Sequence, residues 1–290
     1  MQNEEVLYSV ANRVATITLN RPDKLNAWTA VMEKEVRSSM ENAERDEDVR
    51  VIVLTGAGRG FCAGADMSLL SAVAEHGVVD RNSEDQKSGV QNREVQKRED
   101  QNREAALRDG VPLDFQKRYS YFPAIGKPVI AAINGPVVGL GLVITLYCDL
   151  RLASDAARFS TTFARRGLVA EYGMAWMLPR IVGIANALDL LFSARTIDAA
   201  EALRIGLVNR ILPQESFLEK VHEYARELAS TVSPRSLRII KRQVYEAMFQ
   251  PLSEAFDVSV NEMMASFKTE DFKEGVAHFV EKRAPAFTGR

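Results

Sequence analysis

The chain has 290 residues, 46% hydrophobic and 26% charged, with 37 Lys and Arg against 39 Asp and Glu for a formal net charge of -2. These are the proportions of a globular protein with a sizeable core, and they exclude a mainly disordered, collagenous or membrane-embedded chain. A balanced charge leaves no footprint for duplex nucleic acid, and no apolar run approaches the ~18 residues of a membrane span.

In chain order, MQNEEVLYSV lacks the basic-then-apolar build of a signal peptide, which predicts a cytoplasmic protein. Residues 6–20 predict two short strands around a turn at Ala11-Asn12, with Val14, Thr16 and Thr18 alternating with Ala15, Ile17 and Leu19. Val31, Met32, Val36 and Met40 recur at helical spacing within 28–47. Val51 to Thr55 is a continuous apolar run stopped by Gly56, Gly58 and Gly60, the pattern of a strand buried on both faces. Pro128 to Ile133 is a second such strand, stopped by Asn134-Gly135-Pro136. The stretch LVITLYCDL after Gly141 fits helix or strand equally. Strands are expected at 150–153 and 157–160, and helices from about 173 onward, interrupted by a strand at 207–211. Residues 80–109 differ from the rest: eight acidic and seven basic residues with few apolar ones mark a solvated insertion or, alternatively, a lid.

Cys62 and Cys148 are too few for a disulfide framework and have no CxxC spacing, so both read as small buried residues. His76, His222 and His278 are widely separated, and no metal site is expected. Two predicted strands end in glycine-rich turns, GAGRGFCAG at 56–64 and GPVVGLG at 135–141. Neither matches a dinucleotide fingerprint or a P-loop. They are either simple reversals or places where backbone N–H groups approach a ligand.

Phe61-Cys62-Ala63-Gly64-Ala65-Asp66-Met67 resembles the F-x-A-G-A-D motif of the crotonase superfamily, the enoyl-CoA hydratase/isomerases. Asn20-Arg21-Pro22 to Asn26-Ala27 resembles its N-R-P-x-x-x-N-A, and Lys127 to Gly135 its K-P-x-I-A-A-x-N-G. Gly139-Leu140-Gly141 leads to Cys148-Asp149 as the family's G-G-G leads to its C-D. Leu178 to Gly183 and Ala200 to Val208 resemble L-P-R-x-x-G and A-x-E-A-x-x-x-G-L-V. The likeness covers nearly the whole chain except 75–118.

The resemblance implies an α/β crotonase fold, a spiral of ββα units over 1–200 that binds acyl-CoA and carries the chemistry. It also implies a helical oligomerisation region over 201–290 and a charged insertion at 75–118. The substrate would be a coenzyme A thioester, with no separate cofactor. The assembly would be a homo-oligomer, a trimer or a dimer of trimers. By family position, the N–H groups of Ala65 and Leu140 would hold the thioester oxygen as it becomes an enolate. Leu140 replaces a glycine, but a backbone donor needs only a permitted φ/ψ. Lys24, Leu25, Ala63, Asp66 and Met67 would line the coenzyme, with Phe279 and Lys282 touching it, often across a subunit boundary. Asp66 also reads as a cap for a following helix, and Asp149 as structural.

Hydratases of this family use two glutamates, whose positions here are Val143 and Phe163. Neither side chain can exchange a proton. Glu171 lies where some double-bond isomerases of the family keep a single catalytic carboxylate. Apolar neighbours at Val143, Phe163, Leu168, Val169, Met174 and Trp176 would raise its pKa by desolvation. The pattern favours an enoyl-CoA isomerase over a hydratase. A dehalogenase, a hydrolase and a non-catalytic acyl-CoA-binding protein stay open.

Overall fold

Strand β1 (Val6–Ala11) turns back antiparallel onto β2 (Val14–Leu19), and from there the main sheet runs parallel through β3 (Val51–Gly56), β4 (Val129–Ile133), β6 (Leu150–Ser154) and β9 (Arg210–Leu212). This computed structural model describes residues 4–66, 71 and 112–290. Met67 and the charged stretch 80–109 lie outside the described residues.

The continuous apolar runs are explained by cover on both faces. Ile52 and Leu54 of β3 and Ala131 and Ile133 of β4 face one core, shared with helix α1 (Ala30–Arg45) and helix α2 (Leu140–Tyr147). Val51 and Val53, with Ile130 and Ala132, face the other core, against Phe217, Val221 and Ala225 of α6 (Phe217–Thr231). Helix α1 starts where Thr29 accepts a hydrogen bond from the Met32 N–H, a side-chain cap that offsets one unsatisfied amide. A small second sheet joins β5 (Val137–Val138), β7 (Arg158–Ser160) and β8 (Ile197–Asp198).

The stretch left open as helix or strand is α2. All eight of its residues are buried, so it has no polar face to impose a helical period. Between the two sheets and the C-terminal end lie α3 (Met174–Val182), α4 (Ile184–Ser193) and α5 (Ala199–Arg204). The strand expected at 207–211 is confined to 210–212, with Leu207 and Val208 buried just before it. The main sheet therefore takes its last strand from beyond residue 200, and the purely helical part begins with α6. It continues through α7 (Pro234–Glu246), α8 (Leu252–Ser266) and α9 (Glu270–Glu281). Among the described residues no helix is long and apolar enough to cross a membrane.

Asp149, next to α2, is structural as expected. Its carboxylate pairs with Lys241 of α7 at 2.8 Å, accepts from the Val129 N–H at 2.6 Å and accepts from the Tyr245 hydroxyl at 3.0 Å. Lys241 also donates to the carbonyls of Phe122 and Lys127. Asp149→Ala would strand a buried ammonium, so it should lower the unfolding free energy in urea titrations by about 3 kcal/mol or more.

Candidate active site

The parallel strands β3 and β4 end at the same level, and the turns that follow them pack against each other. Asn26 is buried with a left-handed backbone, φ 55°. Its side-chain amide donates to the carbonyls of Ala57 and Gly60, and its Oδ1 accepts from the Arg21 N–H. The Asn134 amide donates to the carbonyls of Gly56 and Gly58 at 2.9 and 3.0 Å. Two asparagines thus satisfy four carbonyls of the 56–60 turn, and those of the buried Gly56 and Gly60 would be costly to leave unpaired.

The chain beyond this turn runs alongside 136–138. The Phe61 N–H donates to the Pro136 carbonyl, Cys62 bridges to Val137, and the Val138 N–H donates to the Cys62 carbonyl. Trp28 and Ala65 bridge on the other side. Helix α2 then begins against the same segment. A Cβ on Gly141 would lie 2.6 Å from the Cys62 carbonyl oxygen, so only glycine permits this approach. A Cβ on Gly64 would lie 3.8 Å from the Leu140 nitrogen. The Gly64–Ala65 peptide and the first amide of α2 are neighbours. Among the described residues, neither the Ala65 nor the Leu140 N–H donates to a backbone carbonyl. Leu140 has an ordinary helical backbone, which is why a side chain is tolerated there.

Val143 lies one turn into α2, and Phe163 places a ring carbon 4.0 Å from where a Cβ of Gly139 would be; both are buried. Glu171 ends the loop that enters α3 and accepts the Met174 N–H with its backbone carbonyl. Its side chain has no hydrogen-bond or ion-pair partner among the described residues. Burial holds its carboxyl above the ordinary glutamate value. Of the apolar neighbours expected around it, Met174 is fully buried but Val169 is 76% exposed, and Leu168 is partly exposed too. Those two therefore do not enclose the carboxylate within one chain: they sit in a loop whose side chains face outward.

Next to the Glu171 loop is a cavity of about 320 Å³ lined by Phe115, Tyr119, Tyr147, Tyr172, Trp176 and Phe249, among others. Arg118 forms a two-pronged pair with Glu33, one arm at 2.7 Å, and lies 5.2 and 5.7 Å from the ring centres of Tyr119 and Tyr172.

The other residues singled out in the sequence are distributed as follows. Lys24 is exposed on a short helical turn, and the Leu25 carbonyl accepts from the Ala63 N–H at 2.9 Å, which sets Lys24 and Leu25 beside Ala63. Asp66 pairs with Arg21 at 2.9 Å; the helix it was expected to cap lies outside the described residues, as does Met67. Phe279 is 79% exposed on α9, and Lys282 ends that helix in a left-handed conformation. Among the described residues neither makes a hydrogen bond, ion pair or ring contact with the glycine-rich turns. Burial pushes the thiols of Cys62 and Cys148 up to about 12, so both stay protonated. Asn26 and Asn134 stand inside recognisable motifs yet had no role assigned from sequence. For Asn134 the available signal was a carboxamide at the end of the 129–133 apolar run; Asn26 carried none.

The model of the enoyl-CoA hydratase/isomerase family matches residues 9–95 and 88–290. The chain belongs to the enoyl-CoA hydratase/isomerase family. It is 31% identical over 287 residues to the 1,2-epoxyphenylacetyl-CoA isomerase of Escherichia coli, covering 99% of each chain. It is 33% identical over 293 residues to a probable enoyl-CoA hydratase of Mycobacterium tuberculosis, covering 100% of both. Among solved structures it resembles the enoyl-CoA hydratase of Bacillus anthracis, with a TM-score of 0.80, 26% identity and coverage of 99% and 100%. Its α/β architecture, with a helical C-terminal region, is the crotonase fold. Within this enoyl-CoA hydratase/isomerase framework, the contact of Gly141 with Cys62 sets the spacing of the two free amides. Gly141→Ala should cost about 1–3 kcal/mol in thermal or chemical unfolding, because a methyl group must force apart a packed turn.

Proposed function

We propose that this protein shifts a carbon–carbon double bond in an acyl-CoA thioester, with Glu171 as the single proton shuttle. The Ala65 and Leu140 N–H groups receive the thioester oxygen. The carboxylate of Glu171 takes a proton from C2 of a 3-enoyl-CoA, and the electron pair delocalises onto the thioester oxygen as a dienolate. The protonated Glu171 then delivers the same proton to C4, which leaves the double bond between C2 and C3. Two amides aimed at one oxyanion are the larger electrostatic contribution, each worth roughly 10²–10³ in rate. The observation that carries the reading is chemical: Val143 and Phe163 are buried apolar residues beside the free amides, whereas Glu171 is a carboxylate desolvated by burial. A carboxyl with a raised pKa suits a group that must both accept and release a proton near neutrality.

Lys24, Leu25, Ala63, Asp66 and Met67 are assigned to the coenzyme side of the site, and Phe279 and Lys282 to coenzyme contacts made across a subunit boundary. That last assignment needs an oligomer, a trimer or a dimer of trimers. It is supported by exposed apolar side chains on α8 and α9, including Leu252, Phe256, Met263, Val276 and Phe279, a density of apolar surface that monomers rarely leave in water. Light scattering at micromolar concentration should give three or six times the 32.2 kDa chain mass; a monomer mass would refute it.

A second reading, hydration of a 2-enoyl-CoA, is favoured by the names of most of the relatives, which are called hydratases. Product analysis separates the two. Given a 3-enoyl-CoA, the protein should form the 2-enoyl product faster than any 3-hydroxy product, because Val143 and Phe163 cannot activate water at C3. Glu171→Gln should lower kcat by at least about 10²-fold, with little change in acyl-CoA affinity. The acidic limb of kcat/KM should also reflect Glu171. Its pKa is raised, and the working form is ionised, so activity should fall as pH drops through a midpoint above that of an ordinary glutamate. A Gln variant with near-wild-type turnover would refute the role of Glu171, and hydration outpacing isomerisation would favour the second reading.

A further inference from the structure

Helix α2 is wholly buried from Leu140 to Tyr147, and its two ends serve different parts of the candidate site. At the first residue is the Leu140 amide. At the last residue, the Tyr147 hydroxyl donates to the backbone carbonyl of Tyr172 at 2.7 Å. Tyr172 directly follows Glu171, and both Tyr172 and Gly173 have left-handed backbones, with φ of 48° and 78°. Helix α3 donates from Met174 to the Glu171 carbonyl and from Trp176 and Met177 to the Gly173 carbonyl; among the described residues, the Tyr147 hydroxyl is the partner that another element supplies to the Tyr172 carbonyl between them. Gly173 leaves room for that hydroxyl: a Cβ there would lie 2.2 Å from the Tyr147 oxygen but 3.6 Å from its Cζ carbon.

We propose that Tyr147 is a positioning residue for Glu171, its hydroxyl fixing the carboxylate-bearing turn relative to the Leu140 amide through the rigid length of α2. The proposal rests on the reading of Glu171 as the proton shuttle. A helix of this length separates its ends by about 10 Å and does not flex appreciably. Without the anchor, the Tyr172 carbonyl loses its partner, and the turn is held only by the bonds that α3 makes to its two ends, at Glu171 and Gly173. The contacts on the opposite side of Tyr172 are ring contacts: an edge-on approach to Tyr119 with centres 4.8 Å apart, and Arg118, itself paired with Glu33. These hold the side chain of Tyr172 but do not fix its peptide. Burial raises the pKa of the Tyr147 phenol, so the donor keeps its proton across the working range. Small displacements of a catalytic group are costly, with about 1 Å worth up to 10²-fold in rate.

The test combines Tyr147→Phe, Glu171→Gln and Gly173→Ala, read as kcat and KM with a 3-enoyl-CoA, as exchange of the C2 hydrogen in deuterated water, and as affinity for a saturated acyl-CoA. Tyr147→Phe removes one oxygen and should lower kcat and C2 exchange about tenfold, while KM and saturated acyl-CoA affinity change less than twofold. In the Glu171→Gln background the same substitution should cause no further loss, because the group it positions is gone. Gly173→Ala should lower both kcat and melting temperature, and adding Tyr147→Phe to it should recover only part of the melting temperature, because the clash with the hydroxyl goes but the left-handed backbone at 173 still disfavours alanine. Tyr147→Phe with wild-type kcat, alongside an impaired Glu171→Gln, would overturn the positioning role and leave the shuttle intact. Equal losses from Tyr147→Phe in both backgrounds would also overturn it, since Tyr147 would then act by a route other than Glu171. Near-wild-type turnover of Glu171→Gln would instead overturn the shuttle itself.

Discussion

Everything near the candidate site depends on how the carbonyls at the end of β3 are satisfied. Parallel strands buried on both faces end abruptly, and the turn that follows has no ladder to join; Gly56 and Gly60 in it are buried, while Gly58 and Arg59 reach the surface. Asn26 and Asn134 supply the missing donors to Gly56, Ala57, Gly58 and Gly60. A neutral hydrogen bond contributes about 1 kcal/mol net, but an orphaned buried carbonyl costs about 1–3 kcal/mol. The second figure decides the matter: the asparagines are needed because the alternative is several unpaired carbonyls in one place. Once that turn is fixed, the path of 61–65 beside 136–138 follows, and with it the direction of the Ala65 amide.

Helix α2 converts this local order into a longer-range one. Burying a side chain such as Leu142 or Ile144 contributes about 1.5–3 kcal/mol, more than any single hydrogen bond in the site, so packing decides where the helix lies. Hydrogen bonds then decide what meets it. Its start is held against Cys62 by the absence of a side chain at Gly141. Its far end touches the Glu171 loop through Tyr147. Just beyond it, Asp149 connects the sheet to α7 through Lys241. One apolar helix therefore ties together the glycine-rich turns, the Glu171 loop and the C-terminal helices.

The electrostatics follow from the same apolar surroundings. A desolvated carboxyl is reluctant to ionise, and Glu171 has no cation among the described residues to offset that penalty. The two cysteines experience the same effect more strongly, which keeps them inert thiols. In contrast, Arg118 sits beside the neighbouring cavity with its charge already matched by Glu33. It shapes that wall through its contacts with Tyr119 and Tyr172 without presenting an unpaired charge to it.

Much of this was legible in the residues themselves. The runs 51–55 and 128–133 are strands because nothing polar interrupts them, and Glu171, Val143 and Phe163 stand out because a carboxylate and two apolar groups differ in the chemistry they permit. Motif order was enough to indicate the crotonase fold. Other features were decided only in three dimensions. The identity of 140–147 as a helix depends on its being covered on every side, which erases the periodicity that would have revealed it. The exposure of Val169 depends on the course of its loop rather than on its neighbours in sequence. The roles of Asn26, Asn134 and Tyr147 depend on partners 25 to 78 positions away. A hydrogen bond of that kind is set by the direction of two chain segments meeting in space, and composition and spacing along one segment carry no information about the other.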